Sequence, residues 1–255
     1  MYRLATLAAA TLIVAAPAFA QEPDAKQIAQ ERQQAEIDVP ELVKVLDLQP
    51  GMTIADVGAG GGALTLVLGL LIGHGRVYAT DIGQRQLRVI REYADKEGLK
   101  NVTVIEGAAA ATNLPANCCD AIFMRDVYHH VTAIDAFNKS LLASLKPGGR
   151  LAIIDFRGRP GSAVPEGVPA NRGGHGIPPE IVADEIKAAG FTHVRTMDPW
   201  LGDKRNAMFL VLFVKPVPAV GLQQIARAYA KIIDDIGKYS LQQPQPARAA
   251  VTSAR

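Results

Sequence analysis

Three short stretches of this sequence hold residues whose types and spacing could do chemistry. Asp56 stands near the end of an apolar, β-branched run at 53–57 and is followed at once by Gly58, Gly60, Gly61 and Gly62. A carboxylate beside a backbone without Cβ atoms lets a ligand approach closely and offers a partner to a cationic group. Asp81 ends a second such run, 76–81, and lies 19 residues past Gly62. The third stretch, Arg125-Asp126-Val127-Tyr128-His129-His130-Val131, follows a run at 120–124 and supplies a carboxylate and two imidazoles, groups that move protons. Adjacent residues of a strand point to opposite sides, and zinc needs three or four converging ligands, so no metal is expected at His129 and His130. Asp126 and Arg125 have an alternative use as a structural ion pair.

These residues need elements to hold them. The run at 53–57, the glycine turn and an apolar stretch at 63–71 read as strand, turn and buried helix. Residues 76–81, 101–107, 120–124 and 150–155 read as further strands. Ahead of them, 21–38 is a polar helical lead-in, and Asp38 with Glu41 forms a capping pattern for a separate helix that Pro50-Gly51 stops. A helix over 136–145 ends in Lys146-Pro147-Gly148-Gly149. The Gly- and Pro-rich segment 156–179 is too long for an ordinary connection and carries Arg172 and His175 as candidate substrate contacts, or as solvated loop residues. A helix over 179–189 and strands at 192–197 and 207–214 close the domain, which spans 39–215. Apolar residues at helical spacing, Leu222, Ile225, Tyr229, Ile232, Ile233 and Ile236, give an amphipathic helix over 216–240 that is expected to dock on the domain, and 241–255 reads as a disordered tail.

A chain of 255 residues suffices for one large α/β domain. Its formal charge of +2, without a basic block, excludes nucleic acid as a partner. Arg3, an apolar run at 4–16 and Ala18-Phe19-Ala20 make 1–20 a cleavable export signal, with Gln21 as the mature start and the periplasm as destination. The run is shorter than the roughly 20 residues of a membrane span, so no stable span is expected after cleavage. Cys118 and Cys119 are the two cysteines, and sequence neighbours do not easily reach relaxed disulfide geometry.

The stretch Asp56-Val57-Gly58-Ala59-Gly60-Gly61-Gly62 resembles the first motif of the class I S-adenosylmethionine-dependent methyltransferases. The stretch from Arg125 to Val131 resembles the family's fourth motif, and Leu145-Lys146-Pro147-Gly148-Gly149 resembles its turn before the fifth strand. The resemblance implies a seven-stranded, mostly parallel Rossmann-like sheet with helices on both faces and an antiparallel last strand. It further implies S-adenosylmethionine as cofactor and methyl transfer to a small-molecule or lipid-like acceptor. Under it, Asp56 orients the methionine ammonium, Gly58, Gly60 and Gly62 admit the cofactor, and Asp81 holds the ribose or caps the next helix. Because the methyl already sits on a sulfonium, positioning is the main demand, and His130 or Asp126 is the base where the acceptor carries a proton. One departure stands out: where relatives place an aspartate for the adenine amine, this chain has alanines at 108–111. A non-catalytic exported binding module is therefore the alternative. A dinucleotide-binding oxidoreductase is another, since Gly58-Ala59-Gly60-Gly61-Gly62-Ala63 also fits G-x-G-x-x-A.

Overall fold

The computed structural model describes residues 25–159, 161–202 and 208–241. One seven-stranded sheet runs in the order β3-β2-β1-β4-β5-β7-β6. Its strands are β1 (Thr53–Val57), β2 (Arg76–Asp81), β3 (Val102–Glu106), β4 (Cys119–Arg125), β5 (Leu145–Phe156), β6 (Thr192–Met197) and β7 (Met208–Val214). The pairs β1 with β2, β2 with β3, β1 with β4 and β4 with β5 are parallel. Strand β7 runs antiparallel between β5 and β6. The expected sheet is the observed one. The order in which successive strands are added reverses between β1 and β4, the switch point where open α/β sheets bind ligands.

Helices α1 (Ala25–Leu46), α2 (Ala63–Leu71), α3 (Gln84–Lys96), α4 (Ile134–Ser144) and α5 (Pro179–Ala188) surround the sheet. Alternation along the central strands feeds two cores. Ala55, Val57, Ile122, Met124, Ile153 and Val211 share one with Phe137, Leu141, Val182 and Ile186 of α4 and α5. Ile54, Phe123, Ala152, Ile154 and Leu210 share the other with Leu42, Val45 and Leu68 of α1 and α2. This burial on both faces is why the strands read as near-continuous apolar runs.

Four readings of the sequence change. The polar lead-in and the helix after Asp38 are one helix, α1, which continues through Pro40. An interior proline costs about 3 kcal/mol, and burying each of Val39, Leu42, Val45 and Leu46 contributes about 1.5–3 kcal/mol on the same stretch, so packing wins. Asp38 is consequently not a cap but a buried acid inside the helix. Cys118 and Cys119 form a vicinal disulfide at the head of β4. The amphipathic C-terminal helix exists as α6 (Ala219–Leu241), yet Ile225, Tyr229, Ile232, Ile233 and Ile236 are all exposed, so this stripe does not dock on the domain. The export signal and the tail beyond residue 241 lie outside the described residues. Among the described residues, no helix is long and apolar enough to cross a membrane.

Candidate active site at the carboxyl edge of the sheet

Strand β1 ends at Val57, and the chain turns at once because the N–H groups of Gly58 and Ala59 both donate to the carbonyl of Thr80 at the end of β2 (2.8 and 2.9 Å). Gly58 has a φ of 74°, and a Cβ there would sit 2.5 Å from Val127 Cγ2, so only glycine fits between this loop and the segment after β4. A crevice opens on both sides of Gly58. On one side a cavity of about 410 Å³ is lined by Asp56, residues 58–61, Arg125, Asp126 and, from α1, Gln30, Glu31, Gln34 and Asp38. On the other a cavity of about 430 Å³ is lined by Gly58, Thr80, Asp81, Ile82, residues 107–109, Val127, His130 and Thr132.

Asp56 is 3 % exposed, and its Oδ2 accepts from Thr65 Oγ1 at 2.7 Å. Burial pushes its carboxyl up to about 7, against the lowering pull of the Thr65 hydroxyl. Arg125 stands nearby but is committed to Asp38. Asp56 is thus a desolvated acid facing a cavity, and a ligand ammonium would return it to its charged form. The alternative Arg125–Asp126 ion pair is not formed, because the buried Asp38 captures the guanidinium.

Asp81 lines the second cavity with its carboxylate oriented by two backbone donors. Gly60 N–H donates to Oδ2 at 2.9 Å and Gly83 N–H to Oδ1 at 2.8 Å. A carboxylate has about four lone-pair sites, so two remain for a diol. Its alternative as a side-chain cap of α3 is not realised: Gly83 occupies the cap position without a side-chain bond. Gly60 lines the first cavity. Gly62 lines neither; it caps α2, and its missing Cβ makes room for Ile90 Cγ1, which a methyl would meet at 2.7 Å. Asp56 and Asp81 face the crevice from opposite sides of Gly58, with the glycine loop between them. The alanines fit less well, since the wall at Ala108 and Ala109 carries no acceptor side chain and the Ala108 and Ala111 backbones bond each other.

Asp126 follows β4 with a φ of 60° and donates its N–H to the Ile154 carbonyl at 2.8 Å. Its carboxyl is raised by desolvation and by Asp155 beside it. Tyr128–His130 is a 3-10 turn, not strand, so the rings of His129 and His130 do not diverge; their centroids lie 4.1 Å apart. Desolvation and the neighbouring His129 lower the titration of His130, which keeps it neutral near pH 7. His129 is buried, held by Asp155 through both its Nδ1 (2.8 Å) and its backbone N–H (3.0 Å). Of the two loop candidates, Arg172 is fully buried and structural. It pairs with Glu185 and donates to the carbonyls of Tyr128 and Val131 at 3.2 and 3.1 Å, tying the long loop to the histidine turn. His175 is exposed and sits against both histidines, its ring centroid 4.9 Å from His129 and 5.5 Å from His130. The sequence missed Asp155, whose signal was an acid ending an apolar strand, and the α1 residues that wall the first cavity, for which there was no local signal.

Residues 55–153 match the methyltransferase domain model. The chain is 34 % identical over 116 residues to the ubiquinone/menaquinone biosynthesis C-methyltransferase UbiE of Shewanella frigidimarina (strain NCIMB 400), covering 45 % of this chain and 46 % of that one. The UbiE of Shewanella sediminis (strain HAW-EB3) is 37 % identical over 110 residues, covering 42 % and 44 %. The match thus spans about half the length of these relatives. A solved S-adenosylmethionine-dependent methyltransferase from Aquifex aeolicus superposes with a TM-score of 0.59 at 28 % identity, covering 76 % of this chain and all of that one. With this sheet order, the glycine loop after β1 and the paired acids at the carboxyl edge, residues 55–153 form a methyltransferase domain, and the chain is similar to the class I S-adenosylmethionine-dependent methyltransferases.

Proposed function

We propose that the chain transfers a methyl group from S-adenosylmethionine to a small-molecule or lipid-like acceptor at the carboxyl edge of the sheet. The carrying observation is the crevice divided at Gly58, with the buried Asp56 on one side and Asp81 on the other. When bound, the cofactor supplies an electrophilic methyl on a sulfonium leaving group. Asp56 holds the ammonium, Asp81 the ribose hydroxyls, and the loop at 58–61 lets the ligand lie against backbone. The remaining work of the protein is to bring the acceptor in line and exclude water, the part of catalysis that orientation supplies. Asp126 and His130 are the groups available to take up a proton from an acceptor that carries one. The UbiE relatives are named for carbon methylation in quinone biosynthesis, which makes an apolar ring an acceptor class worth testing here.

Isothermal titration with S-adenosylmethionine and S-adenosylhomocysteine tests the reading. Both are expected to bind one to one, with affinity falling about ten-fold or more in Asp56→Asn, as for loss of a charge-assisted contact. No binding of either ligand would overturn it. A second reading, an exported module that binds a ligand without catalysis, is favoured by the alanine wall. It predicts binding of the demethylated product without turnover against any acceptor panel. Export itself is part of the proposal: chain recovered from the periplasm should begin at Gln21, and full-length chain confined to the cytosol would refute it.

A further inference from the structure

Three of the five histidines of this chain meet at one place. A ring nitrogen of each of His129, His130 and His175 lies within 4.8 Å of the other two. They come from two segments: the turn after β4, and the loop after β5 that Arg172 fastens down. His175 is placed by its own backbone. Its N–H donates to Ser162 Oγ at 2.9 Å, and the next residue, Gly176, approaches Gly158 so closely that a Cβ would lie 2.7 Å from its nitrogen. Ile177 then bonds the Phe156 carbonyl at 2.9 Å, which returns the chain to the end of β5.

His129 distinguishes this cluster from a stack of rings. It is 1 % exposed, its Nδ1 lies 2.8 Å from Asp155 Oδ1, and among the described residues its Nε2 has no hydrogen-bond partner. Asp155 is itself fully buried and spends its two oxygens on His129 and the Phe156 N–H. With Nδ1–H donated to the carboxylate, Nε2 keeps an unused lone pair, and a ring nitrogen of His129 lies within 4.8 Å of one on each of the other two imidazoles. A buried polar atom left unpaired costs about 1–3 kcal/mol, and ring stacking with Phe156 does not satisfy it. A carboxylate behind a histidine is the arrangement that fixes tautomer and orientation at metal centres.

We propose that His129, His130 and His175 form a binding site for a divalent transition metal of the zinc class, with Asp155 orienting His129 from behind. Imidazole donors suit zinc, copper, nickel and iron better than magnesium or calcium. A tetrahedral zinc with nitrogens at 2.0–2.1 Å sets those nitrogens about 3.4 Å apart, so the cluster closes by at most about 1.5 Å on loading. Exposed His130 and His175 have the freedom to make that movement, while buried His129 is the fixed point. Three protein ligands leave a position open for water or an oxygen-bearing acceptor, and His130 also lines the cavity beyond Gly58. A ligated His130 is not a base, which leaves Asp126 as the acid–base group at this edge.

The test is titration of the untagged full chain with Zn²⁺ in competition with a chelating indicator, together with Co²⁺ substitution followed by its visible absorption. Wild type is expected to bind one equivalent. His130→Ala and His175→Ala, at exposed positions that leave the core intact, should each lose at least ten-fold in affinity and change the cobalt spectrum. Asp155→Asn should lose about 10–100-fold, the range for removing a partner behind a ligand. His74→Ala and His193→Ala should bind as wild type. Absence of a stoichiometric site, or zinc binding unaffected by His130→Ala and His175→Ala, would overturn the proposal, and so would loss through His74 or His193 alone. Metal binding is read without the methyl-transfer assay, so either reading can fail while the other stands.

Discussion

Replacing Asp56 by asparagine separates what this acid does for the fold from what it does for the ligand. Without ligand, burial raises the folded-state carboxyl from 3.8 to about 7. The unfolded chain ionises near the ordinary value, so between about pH 4 and pH 7 the folded state binds one proton more than the unfolded state. Stability from this group is therefore complete below about pH 4, falls by up to about 1.4 kcal/mol per pH unit, and is gone above about pH 7. The full interval amounts to about 4 kcal/mol, an upper figure because the Asp56 wall of the cavity admits water. Asparagine keeps the volume and an oxygen for Thr65 Oγ1 but has no charge to desolvate. Urea unfolding of both proteins across this range should show a gap that widens with pH in favour of the variant. Parallel stability curves would refute the reasoning. Ligand affinity should move the opposite way: the variant loses at least ten-fold for S-adenosylhomocysteine, and wild-type affinity weakens below pH 7 as Asp56 takes up its proton. A variant that is more stable and binds fully would show that the carboxylate serves no ammonium.

Other substitutions probe the rest of the edge. Asp81→Ala should weaken the same ligand about ten-fold or more by calorimetry, and cost about 1–3 kcal/mol in urea because the Gly60 and Gly83 N–H groups lose their acceptor. Gly58→Ala should lower Tm sharply, since left-handed backbone alone costs about 1–2 kcal/mol and the added methyl also strikes Val127; adding Val127→Ala should recover part of the loss. Arg172→Ala strands Glu185 and two carbonyls, and should cost about 3–5 kcal/mol, a loss below about 1 kcal/mol contradicting its role as the fastening of the histidine turn. Ala108→Asp or Ala109→Asp should tighten binding of the adenosyl ligand and sharpen discrimination against its inosyl analogue. Equal discrimination in wild type and both variants would show that another group accepts from the adenine amine.

The sheet was legible because burial on both faces turns each central strand into an apolar run of definite length, and the glycine loop and its two acids announce themselves within a few residues. What was not legible depends on distance along the chain. Asp38 looked like a helix cap because the local pattern Asp38, Pro40, Glu41 is that of a helix start. Its long-range partners, Arg125 and the Trp200 Nε1–H, lie 87 and 162 positions away, and no window of sequence shows them. In a continuing strand His129 and His130 would point to opposite sides. Asp126 takes a positive φ and bonds Ile154, which ends the strand at Arg125 and lets a 3-10 turn bring both rings together.

The position of Asp38 inside α1 shapes the site. A buried acid inside a helix is tolerated only when its oxygens are satisfied, and Arg125 with Trp200 and Gln34 does this. The same contacts hold α1 across the open side of the crevice, so that Gln30, Glu31 and Gln34 form the outer wall of the cavity beside Asp56. Arg125 is thereby engaged by Asp38, and among the described residues no cation forms an ion pair with Asp56. Had Arg125 faced Asp56, the acid would be neutralised and a ligand ammonium would have to displace it. The ion pair that ties the N-terminal helix down thus leaves the Asp56 carboxylate facing the cavity without a bound guanidinium.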